Sequence, residues 1–316
     1  MHERPLLVVI TGPTAVGKTD VGIDVALAVG GEVVSADSMM VYRGMDIGTA
    51  KPTPAERRGV PHHLIDVAEP DEEFTVARYQ ELAEAAIADI HRRGRVPLLV
   101  GGTGLYIRAV VDQYRFPAPA DPRLRRRLQE DARRFGSARL HRHLMAVDPD
   151  TAGRLHPNDA RRIVRALEVY YQTGKPFSWF RKQPRGGEKY RLVMFGLTLR
   201  REKLYRRIEE RVDRLIAAGL VEEVRGLLER GYGPELVSMK GLGYKEIADY
   251  LLGQTTLEEA VNILKRNTRR FAKRQFTWFR ADDQIRWLDT DECGGRRGVV
   301  REIVHNLAGI VSFPAN

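Results

Sequence analysis

The chain has 316 residues, 43% hydrophobic and 30% charged, proportions that exclude a fibrous repeat or a wholly disordered chain. Its 52 Lys+Arg outnumber its 42 Asp+Glu, and the net charge of +10 favours a polyanionic partner, nucleic acid or a phosphorylated ligand. One cysteine, Cys293, excludes an intrachain disulfide and a multi-cysteine zinc site, and no apolar run approaches the ~20 residues of a membrane span. A cytoplasmic monomer without membrane contact is expected.

In chain order, residues 6–11 form a β-branched apolar run and read as a buried strand. A Gly-rich turn follows, then a helix over 18–29 closed by Gly30-Gly31. Residues 32–36 read as a second strand with Asp37 at its carboxyl end, and 63–67 as a third. Residues 75–93 carry apolar positions at helical spacing, from Val76 and Tyr79 to Ile87 and Ile90. Residues 97–100 are another strand, ending at Gly101-Gly102-Thr103-Gly104. Such alternation predicts a parallel sheet with helices on both faces.

The texture changes near Phe116. Residues 117–122 are rich in proline and alanine and read as a linker. Residues 123–180 read as mostly helical and strongly basic, with Arg123, Arg125, Arg126, Arg127, Arg133, Arg134, Arg139 and Arg142 close together. The expected organisation is an α/β core over 1–115 and 186–316, with a helical, basic insertion over 116–185 suited to nucleic-acid contact. A strand over 190–199 returns the chain to the sheet. Helices over 201–218, 221–230, 245–252 and 257–280, a strand over 285–288 and a helix over 299–307 complete it.

Gly12-Pro13-Thr14-Ala15-Val16-Gly17-Lys18-Thr19 fits the phosphate-loop pattern G-x-x-x-x-G-K-[ST], between a strand and a helix as the pattern requires. Backbone N–H groups and the helix start attract an anion, Lys18 adds a charge, and the Thr19 hydroxyl suits Mg²⁺. The motif reports diphosphate or triphosphate binding. Kinases, nucleotide hydrolases and enzymes with a diphosphate leaving group could all use such a cradle, although no clear hydrophobic-run-then-Asp signature offers the second metal ligand of a nucleotide-hydrolysing motor.

Ligands of open α/β sheets bind outside the carboxyl ends of the strands. Asp37 and Thr103 are therefore expected to face the cradle, where a carboxylate can take a proton from a nucleophile. Helix 257–280 is expected to separate its faces. Leu257, Val261, Leu264, Thr268, Phe271, Gln275 and Trp278 fall on one side, and Arg266, Arg269, Arg270, Lys273, Thr277 and Arg280 on the other. That cationic stripe, about 20 Å long, suits nucleic-acid phosphates.

These motifs, together with Asp37-Ser38-Met39-Met40-Val41-Tyr42, Met45–Pro52, Gly101–Tyr106, Asn158-Asp159, Arg162, Arg165–Glu168, Gly243–Glu246 and Arg274–Arg280, resemble the tRNA dimethylallyltransferase (tRNA isopentenyltransferase) family. Many members carry Gln where Met40 stands. The resemblance implies a P-loop NTPase-like parallel sheet with a helical insertion domain. It implies a prenyltransferase that moves a dimethylallyl group from its diphosphate to N6 of adenosine 37, in the tRNA anticodon loop, with Mg²⁺. Lys18, Asp37 and Thr103 would be catalytic, residues 12–19 would hold the diphosphate, and Thr19 would hold the metal. Asp37, Ser38, Met39, Met40, Thr103, Arg125, Arg161, Arg162, Ile163, Val164, Arg165, Lys240, Gly241, Leu242, Gly243, Tyr244, Lys245, Arg269 and Lys273 would contact the anticodon stem-loop. Three other readings remain: a small-molecule kinase, a prenyltransferase acting on free adenine nucleotides, and a non-catalytic RNA-binding protein.

Overall fold

Strand β1 (Leu6–Thr11) lies inside the sheet, and its alternation feeds two cores at once. Val8 and Ile10 point into one, Leu7 and Val9 into the other. The computed structural model describes residues 4–117, 121–182 and 189–310. After β1 come α1 (Lys18–Val29), β2 (Gly31–Ser35), α2 (Pro54–Arg57), β3 (His62–His63), α3 (Val76–Arg92), β4 (Val96–Val100) and α4 (Gly104–Val111). Five helices follow: α5 (Pro122–Phe135), α6 (Ser137–Val147), α7 (Pro149–Ala152), α8 (Ala160–Thr173) and α9 (Phe177–Lys182). The chain ends with β5 (Arg191–Thr198), α10 (Arg201–Ala217), α11 (Leu220–Glu229), α12 (Tyr244–Leu251), α13 (Leu257–Arg280), β6 (Ile285–Asp289) and α14 (Arg296–Leu307).

The six strands run in the order β3-β2-β4-β1-β5-β6, and every pairing is parallel. All carboxyl ends therefore share one edge. Helices α1 and α14 cover one face through Val21, Val25, Val299 and Ile303. Helix α3 covers the other with Tyr79, Ala83, Ile87 and Ile90. A third core, among Val41, Met45, Leu220, Val224, Tyr244, Ile247 and Leu264, ties α11, α12 and α13 to the loop after β2.

The residues group into two compact units, Met1–Val111 with Glu188–Asn316, and Asp112–Gly187. The second is wholly helical among its described residues and has its own core of Leu128, Leu140, Leu144, Ile163, Val164 and Leu167. Residues 118–120 of the expected linker lie outside the described residues.

Two expectations are corrected. The third strand is only His62–His63, because Leu64 and Asp66 adopt left-handed φ values of 61° and 58° that end an extended run. In α13 the inward residues are Ala260, Leu264, Thr268, Ala272, Gln275 and Phe279. Trp278, expected inside, is 49% exposed. The expected stripe followed a seven-residue repeat, from which an α-helix drifts about 20° per heptad.

Candidate functional site

Three turns leave the carboxyl edge of the sheet side by side. The turn after β1 is the phosphate loop, the turn after β2 carries Asp37, and the turn after β4 carries Thr103. Cross-strand bonds lash them together. Gly101 N–H donates to the Ile10 carbonyl at 3.1 Å, Ala36 N–H to the Val100 carbonyl at 2.8 Å, and Thr103 N–H to the Ala36 carbonyl at 3.0 Å. Gly12 opens the phosphate loop with φ 140°, and a Cβ there would stand 2.5 Å from the Leu197 carbonyl oxygen. Only glycine lets the loop turn that close to β5.

Asp37 and Thr103 stand on adjacent turns that are joined through Ser38. Asp37 Oδ1 accepts the N–H groups of Met39 at 2.8 Å and Met40 at 3.4 Å. Thr103 Oγ1 accepts the Ser38 N–H at 3.0 Å and donates to Ser38 Oγ at 3.3 Å. The carboxylate is thus held in a fixed turn with Thr103 as its neighbour across the edge.

A cavity of about 610 Å³ opens at the start of α1, lined by Ala15, Val16, Gly17, Lys18 and Thr19. Its far wall carries Arg207, Arg211 and Arg214 of α10. Spacings of four and three put these on one helical face. Lys18 Nζ donates to the Pro13 carbonyl at 2.7 Å. Desolvation of the ammonium, reinforced by the nearby Arg211 charge and opposed by Asp37, pushes the Lys18 pKa down to about 7. Burial also lowers the pKa of Arg211, with Asp37 opposing, and its guanidinium donates to the Thr49 carbonyl at 3.3 Å. Asp20, Glu56 and Glu210 share the lining, and Arg207 and Arg214 are exposed, so the poorly solvated positive charge is concentrated at Lys18 and Arg211, a setting that favours a multiply charged anion beside them.

The three α10 arginines and Gln275 are absent from the sequence-derived site. The arginine spacing was visible, but nothing local says that this face looks at the cradle. Gln275 fell on the mainly apolar side of its helix and within the Arg274–Arg280 motif, but neither says what its side chain meets. It is 7% exposed and hydrogen-bonds to Thr14 and Gly102.

Thr19 lines the cavity, so its hydroxyl is available to a metal. Among the described residues no three His, Cys, Asp or Glu side chains gather as a metal cage. That donor set fits Mg²⁺ held mainly by phosphate oxygens and water, which needs one or two protein ligands.

The expected RNA-contacting residues sort by exposure. Arg161, Arg162, Lys240, Lys245 and Lys273 are exposed. Ile163 and Val164 are buried in the helical unit's core, and Tyr244 is buried with its hydroxyl donating to Glu223 at 2.7 Å. Those three side chains therefore face inward and serve packing; the flanking lysines and arginines hold the surface. Arg125 and Arg165 are half-buried on the wholly buried Glu168, at 3.1 and 2.8 Å. Arg269 pairs with Glu209 of α10 at 2.5 Å. Acidic residues within α13 were too few to neutralise the stripe, but a neighbouring helix supplies one. Met39, Met40, Gly241 and Leu242 are half-buried, and Gly243 is buried.

The family model described as IPP transferase matches residues 40–282. A tRNA dimethylallyltransferase of Desulforudis audaxviator is 72% identical over 307 residues, 97% of this chain and 99% of the relative. The crystal structure of a tRNA isopentenylpyrophosphate transferase of Bacillus halodurans has TM-score 0.71 and 46% identity, covering 97% of this chain and 96% of that one. A eukaryotic dimethylallyltransferase acting on tRNA has TM-score 0.83 and 29% identity, covering 99% of this chain and 81% of that one.

Proposed function

The chain belongs to the IPP transferase family, and on that premise we propose that its cradle holds dimethylallyl diphosphate while the Asp37–Thr103 rim presents N6 of adenosine 37 in a tRNA anticodon loop. The protein is an enzyme that transfers a dimethylallyl group to tRNA. The observation that carries the finer reading is the juxtaposition, at one sheet edge, of a phosphate loop, the desolvated cations Lys18 and Arg211, and one hydrogen-bonded carboxylate.

The chemistry balances simply. The N6 lone pair forms the new bond to C1 of the dimethylallyl group. The C1–O bond breaks, and diphosphate leaves with the electron pair. The N6 proton passes to the Asp37 carboxylate, which the Met39 and Met40 amides hold in place. The cradle amides, Lys18 and Arg211 face the charge that grows on the leaving oxygens. Mg²⁺, held through Thr19, would add charge neutralisation there.

Charge supports the polyanionic acceptor. Residues 112–187 hold 17 Lys+Arg against 8 Asp+Glu, so nearly all of the chain's +10 sits in the helical unit. That unit binds RNA in this reading, chiefly through Arg161 and Arg162. The α/β unit adds Lys240, Lys245 and Lys273. An acceptor as small as a free adenine nucleotide would not need this surface. Incubation with dimethylallyl diphosphate, Mg²⁺ and unmodified tRNA, followed by nucleoside mass spectrometry, should yield N6-(dimethylallyl)adenosine. Absence of that nucleoside, or transfer of label from the γ-phosphate of ATP, would refute the reading.

A further inference from the structure

Gln275 is a buried polar side chain on a helix far along the chain from both turns it touches. Its Oε1 accepts the Thr14 N–H at 2.8 Å, and its Nε2 donates to the Gly102 carbonyl at 2.8 Å. Each end of one amide is therefore engaged by a different loop. Thr14 belongs to the cradle. Gly102 precedes Thr103, which fixes the Ser38 backbone beside Asp37. A Cβ on Gly102 would stand 2.4 Å from Gln275 Nε2, 3.5 Å from Gln275 Cδ and 3.5 Å from Lys18 Nζ, so the amide meets this turn through its Nε2 end, in the neighbourhood of the Lys18 ammonium. A buried amide with both ends satisfied is a rigid connector, since rotating it away would leave two backbone groups unpaired.

We propose that Gln275 is a positioning residue that sets the spacing between the half of the site holding the diphosphate and the half receiving the N6 proton. The inference rests on the function proposed above. Displacement at C1 needs the attacking nitrogen about 3–3.5 Å from carbon and in line with the leaving oxygen. The cradle fixes the leaving oxygen, and the Asp37–Thr103 turn fixes the amine. Gln275 spans both turns with one side chain. Its loss leaves each half able to bind its own substrate but lets the two halves shift relative to each other. The signature is a slower chemical step with unchanged binding of both substrates.

The test compares Gln275→Met, which keeps the volume and removes both hydrogen bonds, with the unmutated enzyme. Transfer by the unmutated enzyme checks the function itself; the ratio of rates checks the connector. Single-turnover rates are measured with dimethylallyl diphosphate and tRNA saturating, and the dissociation constant of each substrate is measured alone. The rate should fall on the order of 10²-fold, as for a misplacement of about 1 Å, while both constants stay within about threefold. A rate within about twofold of the unmutated enzyme overturns the proposal. So does a rate loss matched by weaker diphosphate or tRNA binding.

A second route starts from the opposite partner. Gly102→Ala places a methyl group where the amide sits, and should slow transfer with Gln275 intact. Combined with Gln275→Ala, the methyl enters vacated space, so the double variant should be no slower than the slower single one. Multiplicative losses would overturn the coupling and show that the two positions act separately.

Discussion

Diphosphate binding should draw nearly one proton from solution at pH 8. In the free enzyme, desolvation and the Arg211 charge hold Lys18 at about 7, far below the ordinary 10.5. One pH unit above that value its ammonium is only about one-tenth populated. A diphosphate in the cradle surrounds Lys18 with negative charge and returns its pKa towards the ordinary range. Binding at pH 8 therefore takes up about 0.9 proton, and affinity falls about tenfold per pH unit above 7. The last proton of a phosphate ester dissociates near pH 6, so the ligand contributes little at pH 8. Calorimetric titration of dimethylallyl diphosphate in two buffers of different ionisation enthalpy reads the proton number directly. Lys18→Met should abolish both the uptake and the pH dependence. Uptake near zero in the unmutated enzyme, or equal uptake in the variant, would refute the reasoning. The same shift acts on folding. Between pH 7 and 10.5 the unfolded chain binds the Lys18 proton and the folded chain does not, so ligand-free stability rises with pH in that window. Lys18→Met should flatten that rise in denaturant titrations.

Asp37→Asn keeps the turn's shape but removes the proton acceptor; single-turnover transfer should slow roughly 10²–10⁴-fold with both substrates still bound. Collapse of tRNA affinity with normal turnover of the bound complex would make Asp37 a binding residue instead. Lys273→Ala should lower the salt slope of tRNA binding by up to about one unit. Arg269→Ala should change it less, because its charge is already paired with Glu209; equal effects would show that the pair opens on RNA. Glu168→Gln leaves the half-buried Arg125 and Arg165 facing an uncharged amide, and the weakened charged hydrogen bonds should cost about 1–2 kcal/mol. Hydrogen exchange in α8 should accelerate, and unchanged protection would show that the carboxylate contributes nothing to holding the helix.

How much was legible depends on the range of the signal. Strand β1, the phosphate loop and α1 have the bounds expected of them, because β-branching, glycine and the helix start are all local. Helix α13 likewise begins and ends where expected, since Thr256 caps it and its apolar residues recur at helical spacing. Its rotation was not legible: a seven-residue repeat and a 3.6-residue helix part company over 24 residues, so packing put Ala272 and Phe279 inside and Trp278 outside. The convergence of Asp37 and Thr103 followed from parallel strands, whose carboxyl ends must share an edge. The partners of the charges did not follow. Glu209 reaches Arg269, and Glu168 gathers Arg125 and Arg165, across neighbouring helices. Arg211 looks like an ordinary helix residue in the sequence, and the motif around Gln275 does not say what its side chain joins. Only the folding of α10 and α13 against the sheet edge gives one a diphosphate cavity to face and the other two loops to join. Helical spacing says which residues share a face, and tertiary packing alone decides what that face meets.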